Sequence, residues 1–120
     1  MDLDLLLIST PLRSDATHRG LCPSLSTLTL GSYLSARGGS VRVLDPTVEV
    51  DTAGADAHAI LDEIANRAVG MKPRFLGLSA LSPIEGRFSA ALARRVKQLD
   101  PTLPIVVGGL WATTYDSQIL

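Results

Sequence analysis

Two short signals in this chain have the residue types and spacing to do chemistry: Ser79-Ala80-Leu81 and Gly108-Gly109. A serine at a strand end can hydrogen-bond a heterocyclic nitrogen. Glycines in the same place let a flat or bulky group approach the backbone closely. The 26 residues 82–107 separate the signals, which is room for a turn, one helix and a strand. Each signal closes a short apolar run, R-F-L-G-L-S in one case and P-I-V-V-G-G in the other. In a parallel sheet both fall at carboxyl strand ends, the rim where open α/β sheets bind ligands. Taken singly, each has an ordinary structural meaning: Ser79 as a loop cap, the glycine pair as a tight turn. Their joint position on one rim is what points to a site.

The elements that must position them can be read in order. Asp4–Ser9 is a continuous apolar run, as suits a strand buried on both faces. Residues 10–23 form a polar loop with two prolines, longer than the roughly 2–6 residues usual between strand and helix, and such a loop at a carboxyl rim is commonly functional. Ser24–Arg37 reads as a helix with Ser24 as N-cap and Leu25, Leu28, Leu30, Leu34 and Ala36 as its apolar face. Gly31 inside it costs about 1 kcal/mol against alanine, which a close helix–strand approach or a ligand would justify. Gly38-Gly39 ends the helix. Ser40–Asp45 is a partly alternating strand nearer an edge, with Asp45 as a cap. After a connector at 46–54, Ala55–Val69 is a helix with Ile60, Leu61, Ile64, Ala65 and Ala68 on one face and Gly70 as its cap. Arg74–Ala80 is the third strand. A helix from Ile84 or Glu85 to Leu99 follows, with Phe88, Ala91, Leu92, Arg95, Val96 and Leu99 at helical spacing, and Asp100-Pro101 stops it. Leu103–Val107 is the fourth strand, and Tyr115–Leu120 begins a fourth helix.

Strand and helix thus alternate as β-α-β-α-β-α-β, which predicts a parallel sheet with helices on both faces and right-handed crossovers. The expected architecture is an α/β, flavodoxin-like three-layer sandwich of strand order 2-1-3-4. A fifth strand is expected and absent from residues 1–120, so the fourth strand becomes an exposed apolar edge, which invites pairing. The expectation is one domain cut from a longer protein, or a fifth strand supplied by another chain, with self-association through that edge.

Composition narrows the function classes. A 120-residue chain that is 46% hydrophobic and 4% aromatic supplies one aliphatic core. A net charge of −1 gives no electrostatic case for nucleic acid or an anionic membrane. No apolar run approaches the roughly 20 residues of a membrane span, and the amino terminus lacks the pattern of a signal peptide, so the expected location is the cytoplasm. The single cysteine, Cys22, excludes an internal disulfide. The loop after the first strand, T-P-L-R-S-D, is not a dinucleotide fingerprint, and no P-loop is present. The third strand ends in Ser79 rather than the aspartate of a phosphorelay receiver. Of the two histidines, His58 is expected on a helix surface.

The spacing of Ser79-Ala80-Leu81 and Gly108-Gly109 resembles the second and third parts of the cobalamin-binding signature, D-x-H-x-x-G … S-x-L … G-G. The resemblance implies a flavodoxin-like domain holding cobalamin with its nucleotide tail extended into the sheet, the serine contacting the tail's base and the glycines making room for it. The first part departs from the pattern. Asp15-Ala16-Thr17-His18-Arg19-Gly20 is D-x-x-H-x-G, with the histidine one place late and too far upstream, so His18 is read as a loop histidine rather than a cobalt ligand. The chain is more similar to the amino-terminal domain of cobalamin-dependent radical-SAM enzymes, which generally lack that histidine. Thr10-Pro11, Leu30–Gly39, Val43-Leu44-Asp45, Gly77-Leu78-Ser79, Val106–Gly109 and Ala112-Thr113 carry this likeness.

The resemblance implies cofactor contacts from Thr10, Pro11, Ser79, Ala80, Leu81, Ser82, Gly108, Gly109, Leu110 and Trp111. Trp111 would either wall the corrin or pack under the terminal helix. The C-x-x-x-C-x-x-C motif of the radical-SAM family is not in these residues, so S-adenosylmethionine and an iron–sulfur cluster would sit on a missing segment or a partner protein. The reading is a cobalamin-binding module, not catalytic alone, that positions a corrinoid for methyl transfer or rearrangement. The alternatives are a flavodoxin-like assembly domain with a vestigial pocket and, more weakly, a flavin mononucleotide site, for which the first loop lacks a Ser/Thr-rich phosphate cradle.

Overall fold

In the computed structural model, residues 2–9, 25–46, 56–80 and 83–114 are described. The loop 10–24, most of the 46–54 connector, residues 81–82 and the segment 115–120 lie outside them. The elements are β1 (Leu5–Ile8), α1 (Leu25–Ala36), β2 (Val41–Leu44), α2 (Ala57–Gly70), β3 (Phe75–Ser79), α3 (Pro83–Leu99), β4 (Ile105–Gly108) and α4 (Leu110–Thr114). All strand pairings are parallel, and the sheet order is β2-β1-β3-β4. This is the three-layer flavodoxin-like arrangement that the alternation predicts, with four strands and β4 at one edge.

The two sheet faces differ in how they are covered. Leu6 and Ile8 of β1, Leu44 of β2, and Leu76 and Leu78 of β3 point to one side. There they meet Ile64, Ala65 and Ala68 of α2 and Leu92 and Val96 of α3, with Leu103 closing the end. Burying each such leucine, isoleucine or valine contributes roughly 1.5–3 kcal/mol, so this side is the main hydrophobic core among the described residues. Asp56 caps α2 by accepting from the Ala59 amide at 2.7 Å. Arg95 of α3 binds Asp62 of α2, and its Nη2 donates to His58 Nδ1 at 2.7 Å. His58 is therefore exposed, as expected, but engaged between helices.

The opposite face carries α1. The predicted leucine face of this helix is not the one that packs. Leu28 and Leu30 are exposed, the latter by 47%, while Thr27 and Gly31 are buried. The reason is a close approach. A Cβ at Gly31 would stand 3.2 Å from Val43 Cγ2, so a small residue is needed where α1 crosses β2. The helix end predicted at Gly70 also differs. Met71 is the C-cap, and the left-handed residue beyond it is Lys72, with φ 51°. Leu99 is exposed at the end of α3. The last helix starts at Leu110, directly after the glycine pair, earlier than the predicted Tyr115, which lies outside the described residues. Among the described residues no helix is long and apolar enough to cross a membrane.

The amino rim of the sheet is cross-tied. The Asp4 and Leu5 amides both donate to the Ser40 carbonyl, at 2.9 and 3.1 Å, and Phe75 donates to the Asp4 carbonyl at 3.0 Å. The Asp4 carboxylate accepts from the Ser40 amide at 3.0 Å and from Arg74 Nη1 at 3.4 Å. The hydrogen bond from the Ser40 backbone amide, aided by Arg74, holds the Asp4 carboxyl below its ordinary range. A depressed carboxylate stabilises the fold above its unfolded pKa, and that contribution disappears as pH falls through its folded value. Asp4→Ala should therefore lower stability near neutral pH, and the gap to wild type should close below about pH 4. Urea unfolding across pH 3–7 checks this; a gap that persists unchanged into acid contradicts it.

Candidate functional site

The face left partly uncovered by α1 holds a cavity of about 740 Å³. Its floor is the sheet: Leu5 and Leu7 of β1, Phe75, Gly77 and Ser79 of β3, and Val106 and Gly108 of β4. Its side is α1, through Thr27, Leu30 and Leu34. It runs from Asp4, Arg37 and Phe75 at the amino rim to Ser79, Gly108 and Gly109 at the carboxyl rim. The wall is mostly aliphatic, with a serine and two glycines at the carboxyl mouth. Its floor is itself partly exposed, Phe75 at 44% and Val106 at 58%.

Register brings the two sequence signals together. Ser79 pairs with Gly108 across β3 and β4, so both face the cavity from one row of the sheet. The backbone around them is held on the other sides. The Ala80 amide donates to the Gly108 carbonyl at 2.7 Å, and the Ala112 amide donates to the Ala80 carbonyl at 3.2 Å. The Ser89 hydroxyl of α3 donates to the Ser79 carbonyl at 2.5 Å. Ala80 is thus a buried backbone link, and its side chain is not part of the cavity wall.

The glycines at the site answer to different constraints. Gly109 has φ +108°, a conformation that L side chains rarely adopt, and it turns the chain from β4 into α4. A Cβ added at Gly108 would meet nothing within 4 Å. The protein's own packing does not require a glycine there, and the missing side chain leaves the cavity mouth open. At Gly77 a Cβ would fall 2.6 Å from Leu7 Cδ2, so that glycine lets Leu7 lie across onto β3.

Of the sequence-predicted contacts, Ser79, Gly108 and Gly109 gather at one mouth. Leu110 is exposed at the start of α4. Trp111 lies within α4, its side chain outside the described set. Thr10, Pro11, His18, Leu81 and Ser82 also lie outside it. Thr27, Leu30, Leu34, Gly77 and Val106 were not foreseen as wall residues. Gly77, a glycine interior to an apolar strand, was the available signal, since such a glycine marks close approach of a ligand or another chain segment.

Comparison with known protein families matches residues 15–120 to the B12 binding domain. The chain belongs to that family. No curated protein matches it. In this B12-binding domain the matched region starts at Asp15, within the D-x-x-H-x-G segment, and takes in both rim signals. β1 precedes the match and joins the domain through its pairing with β2 and β3. Among the described residues no three His, Cys, Asp or Glu side chains cluster as a metal site.

The two rim glycines should separate in a stability measurement. Gly109→Ala should cost about 1–2 kcal/mol through its left-handed backbone, whereas Gly108→Ala should change stability by under about 1 kcal/mol. Chemical denaturation of both variants checks this; equal losses would contradict the distinction.

Proposed function

We propose that this chain is a cobalamin-binding module whose cavity takes the cofactor's nucleotide tail and whose carboxyl rim presents the corrin ring. The observation that carries the reading is the open side at Gly108, in register with Ser79, at the mouth of an aliphatic cavity in a B12-binding domain. Ser79 would hydrogen-bond the tail's base. Gly108 and Gly109 would let the tail pass close to the backbone, and Leu7, Leu30 and Val106 would cover its apolar surface. The Thr10–Pro23 loop, with Thr10 and Pro11, and the Leu81, Ser82, Leu110 and Trp111 segments would flank the corrin, with His18 not ligating cobalt. The bound corrinoid supplies methyl-transfer or rearrangement chemistry; the chain itself binds and orients it.

The likeness carried by Thr10-Pro11, Leu30–Gly39 and Val106–Gly109 extends the proposal to a cytoplasmic radical-SAM partner. S-adenosylmethionine and the iron–sulfur cluster would belong to that partner, either a further domain of the same protein or a separate chain.

Mixed with hydroxocobalamin and passed over a desalting column, the wild-type chain should retain the cofactor and shift its visible bands. Gly108→Val should fold normally yet weaken retention at least tenfold, because the added side chain enters the open mouth. No retained cofactor and no band shift at micromolar protein would sink the proposal.

A second reading is favoured by the exposed β4 edge and the 58% exposure of Val106: an assembly domain that associates whether or not a cofactor is bound. Sedimentation velocity with and without cobalamin separates the two. The cofactor-binding reading expects bound cobalamin to travel with the chain, and the assembly reading expects a stable oligomer with no bound cofactor.

A further inference from the structure

One polar group at the carboxyl rim has no role in the packing described so far. Ser9 follows β1 and is 3% exposed, and among the described residues its Oγ is the buried side-chain atom left without a hydrogen-bond partner. Its backbone is fixed, because the Ser9 amide donates to the Leu44 carbonyl at 3.1 Å and so continues the ladder one residue beyond β1. Ile8 pairs with Leu78, so one further step sets Ser9 beside Ser79, which pairs with Gly108. Strand alternation turns Ser9 to the same side as Leu5 and Leu7, the cavity side. A row of Ser9, Ser79 and Gly108 therefore crosses three strands on the cavity side of the sheet, two hydroxyl-bearing residues followed by a glycine.

A buried hydroxyl without a partner is costly, since it has given up water and gained nothing in return. Alanine in the same place would avoid that cost. Ile8 and Ser79, which flank Ser9 along the strand and across the sheet, both belong to the cavity wall. The hydroxyl thus lies beside that wall, on the cavity side of the sheet.

We infer that Ser9 is a second hydrogen-bonding residue for the nucleotide tail, donating its hydroxyl to an oxygen or nitrogen acceptor of that tail beside the one held by Ser79. The inference rests on the cobalamin reading and adds a contact on a different strand, outside the S-x-L and G-G signals. Its consequence is an opposition of signs. The hydroxyl weakens the empty protein and strengthens the loaded one, so removing it reverses both.

The test uses the 120-residue chain, two ligands and a melting measurement. Cobinamide shares the corrin ring of cobalamin but lacks the nucleotide tail. Ser9→Ala should raise the melting temperature of the cofactor-free chain, weaken cobalamin binding about three- to tenfold, and leave cobinamide binding unchanged. Ser9→Cys keeps the volume with a much weaker donor and should bind cobalamin as poorly as Ser9→Ala; full recovery would show that packing, not the hydrogen bond, was lost. Unchanged cobalamin affinity in Ser9→Ala, or equal losses for both corrinoids, overturns this inference alone. A wild-type chain that holds neither corrinoid overturns the cobalamin reading and this inference together.

Discussion

The site depends on the parallel register between β3 and β4. The Ser79–Gly108 pairing and the 2.7 Å hydrogen bond from the Ala80 amide to the Gly108 carbonyl bring together two signals that lie far apart in the chain. Side-chain direction in a strand alternates, so a slip of one residue would turn either signal to the helix-covered side. That slip is resisted from the far face. Leu76, Leu78, Ile105 and Val107 pack toward the α2–α3 core, and slipping would carry them into the cavity. The hydrophobic contacts on one face therefore hold the candidate site on the other in place.

This division of labour accounts for the unequal covering of the sheet. The face with α2 and α3 is filled mainly by aliphatic side chains. The face with α1 is held where Thr27 is buried and Gly31 comes close to Val41 and Val43 of β2, which brings the helix close to one side of the sheet and leaves β3 and β4 uncovered beside it among the described residues. The cavity is the space between a helix drawn toward β2 and strands that have no helix over them among the described residues. Gly108 keeps its mouth open by withholding a side chain, while the space over Gly77 is taken by Leu7.

Much of the fold was legible in the sequence because the relevant signals are local and repetitive. Continuous apolar runs at 4–9 and 74–80, with helical periodicity between strands, are enough for a parallel sheet and its order. The rim signals were legible because they end the apolar runs at 74–80 and 103–107. The orientation of α1 was not. Leucines lie on several sides of that helix, so periodicity carries no direction, and the deciding residues were a threonine and a glycine. Lys72 in place of a glycine cap was equally hidden, since its left-handed backbone follows from how the chain must turn into β3. Ser9 reads in sequence as an ordinary serine ending a strand, and only its burial and lack of a partner distinguish it.

The cross-tied amino rim has a consequence for how such a domain can diversify. With Asp4 joining the starts of β1, β2 and β3 through Ser40 and Arg74, strand alignment is set at the end of the sheet remote from the cavity mouth. At the opposite end backbone hydrogen bonds, such as those from the Ser9 and Ala80 amides, carry the alignment, and these do not depend on side-chain identity. Side chains there can change without disturbing the amino-rim ties beneath them. One end of the sheet keeps the architecture constant, and the other is free to explore which group is held there and what is brought to it.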